Sequence, residues 1–294
     1  MKTLDPSKRY LITGGAGFIG FFLSKALLEK GAEVIGLDNM NDYYEVSLKE
    51  DRLSILKNEP NYHFIKADLA DKKALFSVFD EFKPQIVVNL AAQAGVRYSI
   101  ECPDAYIQSN IVGFFHILEA CRYYPVEHLV FASSSSVYGG NKKVPFSTDD
   151  KVDKPVSLYA ATKKSNELMA YSYSKLYGIP LTGLRFFTVY GPMGRPDMAY
   201  FKFAKKIMAG EPIQIYNNGD MMRDFTYIDD IVKGVENMLC NPPAQDENGA
   251  AYKIYNIGNH KPEILQCSKD ALAKRQKRNI CPCSRGTSMK LMRM

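Results

Sequence analysis

The sequence predicts an α/β fold with a doubly wound parallel sheet and a smaller C-terminal lobe. Short, almost continuous apolar runs alternate with helical stretches through the first 190 residues. Such alternation is typical of parallel strands that helices cover on both faces. A loop rich in Gly and Pro at 191–196 ends this rhythm, and we place the start of the second lobe there.

The predicted elements follow one another in a regular order. Strands are expected at 10–12, 33–37, 62–65, 86–90, 128–132 and 181–185. Helices are expected at 18–30, about 104–123, and 160–177. The second lobe should contain helices at 200–209 and 229–239 and a strand at 213–216. The predicted domains are therefore 1–190, an incomplete lobe at 191–266, and an aberrant basic tail at 267–294.

Composition and charge exclude several classes of protein. The chain has 294 residues, of which 46% are hydrophobic and 24% charged, as is ordinary for a folded globular protein. It has neither a transmembrane run of about 18 apolar residues nor the apolar core of a signal peptide. We therefore expect a cytoplasmic protein. The net charge of +6 is concentrated in the tail at 267–294, with eight basic residues and one acid, so no nucleic-acid partner is expected.

A glycine-rich turn predicts a dinucleotide site. Gly14, Gly17 and Gly20 follow the first strand and open the first helix. Glycines at these places allow a tight turn, close approach of the backbone to a pyrophosphate, and close packing of helix and strand. Asp38 ends the second strand, where an acidic side chain accepts hydrogen bonds from a ribose diol and repels a 2′-phosphate. NAD is therefore predicted in preference to NADP.

A tyrosine and a lysine predict acid–base chemistry. Tyr159 and Lys163 are four residues apart and share one face at the start of a predicted helix. A nearby ammonium favours the phenolate, so we expect a lowered pKa for Tyr159 and a role as general base. The serine run that contains Ser134 ends a predicted strand, and ligands of doubly wound sheets bind beyond such ends.

Four motifs resemble the NAD-dependent sugar-nucleotide epimerase/dehydratase family, also called the extended short-chain dehydrogenase/reductases. They are Gly-Gly-Ala-Gly-Phe-Ile-Gly at 14–20, Ser-Ser-Ser-Ser-Val-Tyr-Gly at 133–139, Tyr-Ala-Ala-Thr-Lys at 159–163 and Arg-Asp-Phe-Thr-Tyr-Ile-Asp-Asp at 223–230. Within this family, the segments 38–44, 91–97 and 185–199 are most similar to the bacterial UDP-glucuronate 4-epimerases. The resemblance spans about residues 8–265. It implies a Rossmann-like fold, NAD as cofactor and a UDP-sugar substrate.

The resemblance also implies roles for individual residues. Tyr159 would take the proton of the sugar 4-hydroxyl with help from Ser134, and Lys163 would hold the nicotinamide ribose. The implied cofactor-binding residues are Gly14, Gly17, Phe18, Ile19, Gly20, Asp38, Asn39, Asp68, Leu69, Ala91, Ala92, Tyr159, Lys163 and Tyr190. The implied substrate-binding residues are Ser134, Ser135, Ser136, Thr188, Arg195 and Arg223. The two arginines would bind the diphosphate, and Thr188 with the serines would hold the sugar carboxylate. No metal is implied.

The implied reaction is a step of nucleotide-sugar metabolism that serves polysaccharide biosynthesis. It inverts C4 of UDP-glucuronate through a 4-keto intermediate and yields UDP-galacturonate. A looser grip on the carboxylate would instead give a UDP-glucuronate decarboxylase, and a neutral hydroxymethyl substrate would give a UDP-glucose 4-epimerase. An inactive NAD-binding truncation product is the alternative without enzyme activity. The resemblance also implies a homodimer formed through the helices at 104–123 and 160–177.

The tail at 267–294 departs from the family, because the resemblance fades soon after residue 262. With permitted codons, 278–294 can be read in another frame as a sequence that resembles the family's continuation. We therefore predict a reading-frame shift. The residues of the NAD site would then be intact, whereas the UDP-sugar site would be incomplete and activity weak or absent.

Overall fold

The central feature of the fold is a sheet of seven parallel strands. The computed structural model describes residues 3–215, 222–264 and 278–280. In chain order the strands are β1 (Arg9–Thr13), β2 (Glu33–Asp38), β3 (Tyr62–Lys66), β4 (Ile86–Asn89), β5 (His128–Ser134), β6 (Leu181–Phe186), β7 (Thr188–Tyr190), β8 (Ile213–Ile215), β9 (Met222–Tyr227), β10 (Tyr252–Ile257), β11 (Pro262–Ile264) and β12 (Arg278–Ile280).

The order of the strands in the central sheet determines where a ligand can bind. That order is β10-β6-β5-β4-β1-β2-β3. The chain runs outward from β1 through β2 to β3 and then crosses back to β4, from which it runs outward on the other side. This reversal opens a crevice above the carboxyl ends of β1 and β4, which is where doubly wound sheets bind their ligands. The predicted α/β fold is confirmed.

Helices cover the sheet on both faces. They are α1 (Phe18–Leu28), α2 (Val46–Leu56), α3 (Lys72–Phe82), α4 (Tyr98–Glu101), α5 (Pro103–Tyr106), α6 (Gly113–Tyr123), α7 (Leu158–Tyr177), α8 (Ala199–Met208) and α9 (Ile228–Leu239). A π-helical segment at Ile107–Val112 joins α5 to α6. The helix predicted at about 104–123 is thus present, with this wider turn inside it. Helices α2 and α3 were not predicted.

Alternating side chains of β1 show how the two faces are buried. Tyr10 and Ile12 pack into an apolar cluster that includes residues of α1, α2 and α9. Leu11 points to the other face and packs into a cluster with residues of α3, α6 and α7. All three side chains are at most 2% exposed. A strand buried on both faces carries apolar side chains at successive positions, which explains the continuous apolar run at 10–12.

One strand of the segment 191–266 joins the central sheet, and one helix of the segment packs on the layer that covers it. Strand β10 pairs with β6 in parallel, with Tyr252 opposite Leu181, and α9 packs against α1. Strand β10 was not predicted from the sequence, because polar and apolar residues alternate along it and none of its residues is fully buried. The domain division at residue 190 stays a prediction. Strands β7, β9 and β11 form a second sheet, and β8 pairs with β12.

Two further predictions concern membrane-spanning helices and the tail at 267–294. Among the helices in the described part of the chain, none is long and apolar enough to cross a membrane. The predicted tail at 267–294 lies outside the described residues, except for Arg278–Ile280 of β12, which pairs with β8. The last residue of the strand predicted at 213–216 also lies outside them.

Candidate functional site

The glycine turn between β1 and α1 has no room for side chains. A Cβ on Gly14 would lie 2.9 Å from the Ala91 backbone nitrogen, and one on Gly20 would lie 2.1 Å from the Gly14 carbonyl oxygen. Gly14 also has a φ of +71°, which glycine adopts without strain. Gly17 precedes α1 without a side-chain cap, so the first amides of the helix can bind an anion. The turn therefore fits the pyrophosphate of NAD.

Asp38 lies at the end of β2 and faces the glycine turn. Its carboxylate accepts hydrogen bonds from the amides of Ala16 at 3.3 Å and Met40 at 2.9 Å. The Nζ of Lys49 lies 3.5 Å away, and both side chains of this ion pair are at most 8% exposed. Lys49 also donates to Asn41 Oδ1 at 3.1 Å. Burial lowers the pKa of Lys49, although Asp38 acts against that shift.

Asp68 and Asn39 connect the ends of two neighbouring strands, β3 and β2. Asn39 Nδ2 donates to one carboxylate oxygen of Asp68 at 2.8 Å, and the amide of Ala70 donates to the other at 2.8 Å. Leu69 lines the same cavity as these two residues. The three residues therefore lie next to Asp38, at the end of the crevice where the sequence places the adenosine half of the cofactor.

A cavity of about 260 Å³ gathers most of the predicted site residues. It lies above the carboxyl ends of the central strands, where the crevice was expected. The predicted residues that line it are Gly14, Gly17, Phe18, Ile19, Gly20, Asp38, Asn39, Asp68, Leu69, Ala91, Ala92, Ser134, Tyr159, Lys163 and Arg195. The predicted residues that do not line it are Ser135, Ser136, Thr188, Tyr190 and Arg223.

The start of α7 brings Tyr159 and Lys163 to this cavity. Ser157 caps the helix, and its side chain accepts a hydrogen bond from the Ala160 amide at 3.1 Å, which satisfies one of the open amides of the first turn. Lys163 Nζ donates to the carbonyl oxygen of Ala132 in β5 at 2.8 Å. Burial lowers the pKa of Lys163 to about 8. The cap and the lysine thus fix the helix against the strand end.

The expected lowering of the Tyr159 pKa is wrong for these residues alone. Burial raises the pKa of Tyr159 above its ordinary value, because the phenolate loses its hydration. A hydrogen bond with Ser134 and the positive charge of Arg195 oppose this shift without reversing it. Lys163 is not among the causes; its ammonium group is bound to a backbone carbonyl instead.

A buried ion pair holds α7 at the sheet. Tyr159, Lys163 and Glu167 are spaced four residues apart and lie along one face of the helix. Both oxygens of Glu167 accept from Arg185 of β6, at 2.8 and 2.9 Å, and one also accepts from Ser133 of β5 at 2.7 Å. Glu167 and Arg185 are each 2% exposed. The pair therefore joins the helix of Tyr159 to β6, and the hydrogen bond from Ser133 joins the same helix to β5, the strand that carries Ser134.

Arg195 reaches the cavity from the loop that precedes α8. Its guanidinium forms two hydrogen bonds with Asp197, at 3.0 and 2.6 Å. The hydroxyl of Tyr43 donates to the same carboxylate at 3.2 Å. Burial raises the pKa of Tyr43 to about 12, and the charge of Asp197 adds to this effect. Asp197 therefore orients Arg195 on the side of the cavity that faces Tyr159.

The serines next to Ser134 form a short 3-10 turn, Ser135–Tyr138. The amide of Ser136 donates to Ser134 Oγ at 3.2 Å. The hydroxyl of Ser136 is buried and has no hydrogen-bond partner among the described residues. A buried hydroxyl without a partner is unfavourable, and a bound ligand could supply that partner.

Thr188, Tyr190 and Arg223 belong to the second sheet, beside the cavity. Thr188 and Tyr190 are the ends of β7, which pairs with β9. Arg223 lies in β9, and burial lowers its pKa to about 10. It has no acidic partner within hydrogen-bonding distance in the described part of the chain. An arginine in such surroundings is suited to an anionic ligand.

Several cavity residues were not predicted from the sequence. They are Leu37, Asn41, Tyr43, Tyr44, Lys49, Ala67, Leu90, Gln93, Ala94, Ser109, Ala132, Ser133, Phe186, Phe187, Val189 and Met198. Ala132 and Ser133 adjoin Ser134, so the strand-end rule could have included them. Tyr43 and Tyr44 lie in a segment that the resemblance already singled out. Lys49 could not be predicted as a cavity residue, because its helix α2 was not predicted and a single lysine in the sequence does not indicate a binding site.

Comparisons with known proteins agree with this geometry. The sequence pattern of the NAD dependent epimerase/dehydratase family matches residues 10–258. The chain is 54% identical to the protein CapI of Staphylococcus aureus over 286 residues, and this match covers 92% of this chain and 85% of the relative. It is 49% identical over 255 residues to a probable UDP-glucuronate 4-epimerase of Rhizobium meliloti, which covers 86% and 75% respectively.

A solved structure with the same fold contains both a nucleotide sugar and NAD. It is the UDP-glucuronic acid 4-epimerase from Bacillus cereus in complex with UDP-glucuronic acid and NAD. The TM-score is 0.85 at 32% sequence identity, and the match covers 95% of this chain and 87% of that one.

Proposed function

Since the chain belongs to the NAD-dependent epimerase/dehydratase family and is an NAD-dependent UDP-sugar epimerase, we propose that it interconverts UDP-glucuronate and UDP-galacturonate by inverting C4. The observation that carries this proposal is the meeting of Tyr159, Ser134 and Lys163 with the glycine turn in one cavity. Similarity to enzymes named UDP-glucuronate 4-epimerases supports the choice of sugar.

Tyr159 acts in this proposal as the base for the sugar 4-hydroxyl. Bound NAD supplies reversible hydride transfer at C4 of the sugar. Ser134 lines the same cavity as Tyr159 and would share the same hydroxyl of the substrate. Because burial raises the pKa of Tyr159, the phenolate needs positive charge nearby, which Arg195, Lys163 and the cationic nicotinamide ring would provide.

The glycine turn and the ends of β2 and β3 would hold the cofactor. The first amides of α1 would bind the pyrophosphate, and Asp38 would accept from the adenosine ribose. Asp68 would meet the adenine, and Lys163 would hold the nicotinamide ribose. Tyr190 would flank the nicotinamide half from β7.

The substrate's two anionic groups would be bound by different residues. Arg195 and Arg223 would bind the diphosphate, since a guanidinium matches phosphate oxygens with two donors. Thr188 and the serines 134–136 would hold the sugar carboxylate. A firm grip matters chemically, because a 4-keto sugar with a carboxylate on C5 is a β-keto acid and can lose carbon dioxide. A UDP-glucuronate decarboxylase is therefore the main alternative, and UDP-glucose 4-epimerase is the second.

Proton NMR of the purified chain with UDP-glucuronate and NAD tests the proposal. UDP-galacturonate as the product supports it, whereas UDP-xylose assigns the chain as a decarboxylase. A parallel reaction with UDP-glucose serves as the specificity control. Turnover of UDP-glucose to UDP-galactose at a higher kcat/KM than that of UDP-glucuronate would contradict the choice of sugar.

We also infer that the segment 267–294 weakens activity in this chain, because its sequence departs from the family. The segment 191–266 would form the UDP-sugar lobe and the segment 1–190 the NAD-binding domain. A variant whose residues 278–294 are replaced by the sequence of the other reading frame should turn over UDP-glucuronate faster than the parent chain. Equal rates in the two proteins would refute the inference, and so would a gene sequence without a matching second frame.

A homodimer is proposed through α6 and α7. These helices expose large apolar side chains, with Tyr123 61%, Leu168 58% and Leu176 69% exposed. Exposed apolar side chains on adjacent helices are typical of an interface. Light scattering of the parent chain should give the mass of a dimer, and Leu168→Glu/Leu176→Glu should give that of a monomer. A monomeric parent chain would rule the dimer out.

A further inference from the structure

Arg52 is buried at a seam between two distant segments of the chain. The side chain lies in α2 and is 0% exposed. One terminal nitrogen donates to the carbonyl oxygen of Ala16, in the glycine turn, and to the hydroxyl of Tyr44, each at 2.9 Å. The other donates to the carbonyl oxygen of Met193 at 2.5 Å. Arg52 and Met193 are 141 residues apart in the sequence.

The loop at 191–198 is shaped to receive this contact. Met193 has a φ of +52°, a conformation that residues other than glycine rarely adopt. Gly191 cannot carry a side chain, because a Cβ there would lie 2.6 Å from Ile228. Such backbone strain persists only where surrounding contacts hold it in place. The hydrogen bond from Arg52 is one such contact.

Tyr43 makes a second connection across the same seam. Its hydroxyl donates to Asp197 at 3.2 Å, and Asp197 in turn pairs with Arg195. Tyr43 lines the cavity on one side of the seam, and Arg195 and Met198 line it on the other. A further ion pair between Lys205 and Glu45 at 3.5 Å is mostly exposed and contributes little.

We propose that Arg52 and Tyr43 act as positioning residues that hold the 191–198 loop over the glycine turn and thereby retain NAD between turnovers. We call these two contacts the clasp. The clasp deepens the proposed function, because an epimerase that regenerates NAD in every cycle gains from keeping it bound. Arg52 suits this role because its planar fork can reach the glycine turn and the loop at once, which a single ammonium cannot do.

NAD release from the purified holoenzyme tests the clasp without any sugar. A scavenging dehydrogenase in excess reduces the released NAD to NADH. The rate at which NADH appears is therefore the rate of NAD dissociation. We expect Arg52→Lys to release NAD about tenfold faster and Tyr43→Phe about fivefold faster, as for the loss of one hydrogen bond each. Arg9→Lys is the matched control. Arg9 also donates to a backbone carbonyl, that of Lys83 at 3.2 Å, but it lies at the opposite end of β1 and should change the rate less than about twofold.

The double variant shows whether both residues act through the loop. If breaking one contact already frees the loop, Arg52→Lys/Tyr43→Phe should release NAD more slowly than the product of the two single effects predicts. Additive effects would overturn the joint clasp, and so would wild-type release from Arg52→Lys. Should Arg52→Lys fail to fold by circular dichroism, wild-type release from Tyr43→Phe overturns the proposal. Failure to epimerise UDP-glucuronate leaves this result untouched, so the two proposals fail separately.

Discussion

Two buried arginines on different sides of the cavity differ in whether they pair with a carboxylate. Arg185 is 2% exposed and forms two hydrogen bonds with the carboxylate of Glu167. Arg52 is 0% exposed and donates to two backbone carbonyls and a tyrosine hydroxyl. The first pair ties a helix to strands of one sheet. The second side chain joins segments that no strand pairing connects.

This difference separates the tasks of the two sides. A bidentate ion pair fixes distance and orientation firmly, which suits the side that carries Tyr159 and Ser134. Hydrogen bonds to neutral oxygens are weaker, and they can be broken and remade without leaving two unpaired buried charges. That suits a side across which the cofactor has to enter. We therefore expect substitutions on the Arg185 side to affect chemistry and stability, and those on the Arg52 side to affect cofactor binding.

The largest effect is expected for Tyr159→Phe, which removes the general base. Turnover of the UDP-sugar should fall about 10³-fold, in the range known for such groups, while the rate of NAD release should rise less than it does in Arg52→Lys. Steady-state kinetics and the scavenging assay measure the two quantities. Tyr255→Phe is the matched control, because Tyr255 is 38% exposed and does not line the cavity. If Tyr159→Phe released NAD as fast as Arg52→Lys, the proposed division of roles between the two sides of the cavity would be contradicted.

Glu167→Gln should destabilise the fold strongly, because it leaves the buried charge of Arg185 without its counterion. Removing one partner of a buried pair costs about 3–5 kcal/mol of unfolding free energy, which urea denaturation measures. Lys164→Met is the control. Lys164 contacts the same carboxylate at 3.2 Å but is 25% exposed, so its loss should cost less than about 1 kcal/mol. Equal losses of unfolding free energy in the two variants would show that the ion pair with Arg185 stabilises the fold no more than the contact with Lys164.

Acid should weaken the same ion pair. Although burial alone would raise it, the pKa of Glu167 is lowered in the folded chain, chiefly through Arg185. Its contribution to stability is therefore complete above the ordinary glutamate pKa of about 4.3 and is lost as the pH falls through the folded value. Glu167→Gln should lack this part of the acid dependence. An unchanged pH profile in that variant would contradict the assignment.

Lys163 should give a dependence of the same sign at alkaline pH, because deprotonation removes the cost of a buried ammonium group. Burial lowers its pKa to about 8, whereas the pKa of a lysine in an unfolded chain is about 10.4. Between these values the unfolded chain binds the extra proton, so stability of the protein without NAD rises with pH, by about 3 kcal/mol in total. Urea denaturation of Lys163→Met between pH 8 and about 10 should show no such rise. A rise that persists in the variant would assign it to other groups.

The smallest effect is expected at the cofactor's ribose. Asp38→Asn removes the charge that repels a 2′-phosphate and leaves Lys49, 3.5 Å away, free to attract one. The ratio of NADP to NAD affinity should rise about tenfold, or about 1.4 kcal/mol, as calorimetry can measure. Asp42→Asn is a control in the same segment, since Asp42 does not line the cavity. An unchanged ratio in Asp38→Asn would remove Asp38 from cofactor selection.

The sequence alone predicted the parallel sheet, the crevice and most of the residues around it. The apolar runs of the central strands follow from burial on both faces, and the glycine triplet follows from a backbone that must approach a phosphate. Tyr159 and Lys163 were found because helical spacing places them on one face. All of these signals are local, so they can be read from neighbouring residues.

Only the tertiary structure decided how distant segments meet. Lys49 beside Asp38, Arg52 beside Met193 and the place of β10 in the central sheet join residues that no local pattern connects. The direction of the Tyr159 pKa shift is also tertiary, because it depends on how completely the folded chain excludes water from the phenol. Short-range periodicity thus determined the elements, whereas burial and long-range hydrogen bonds decided the chemistry between them.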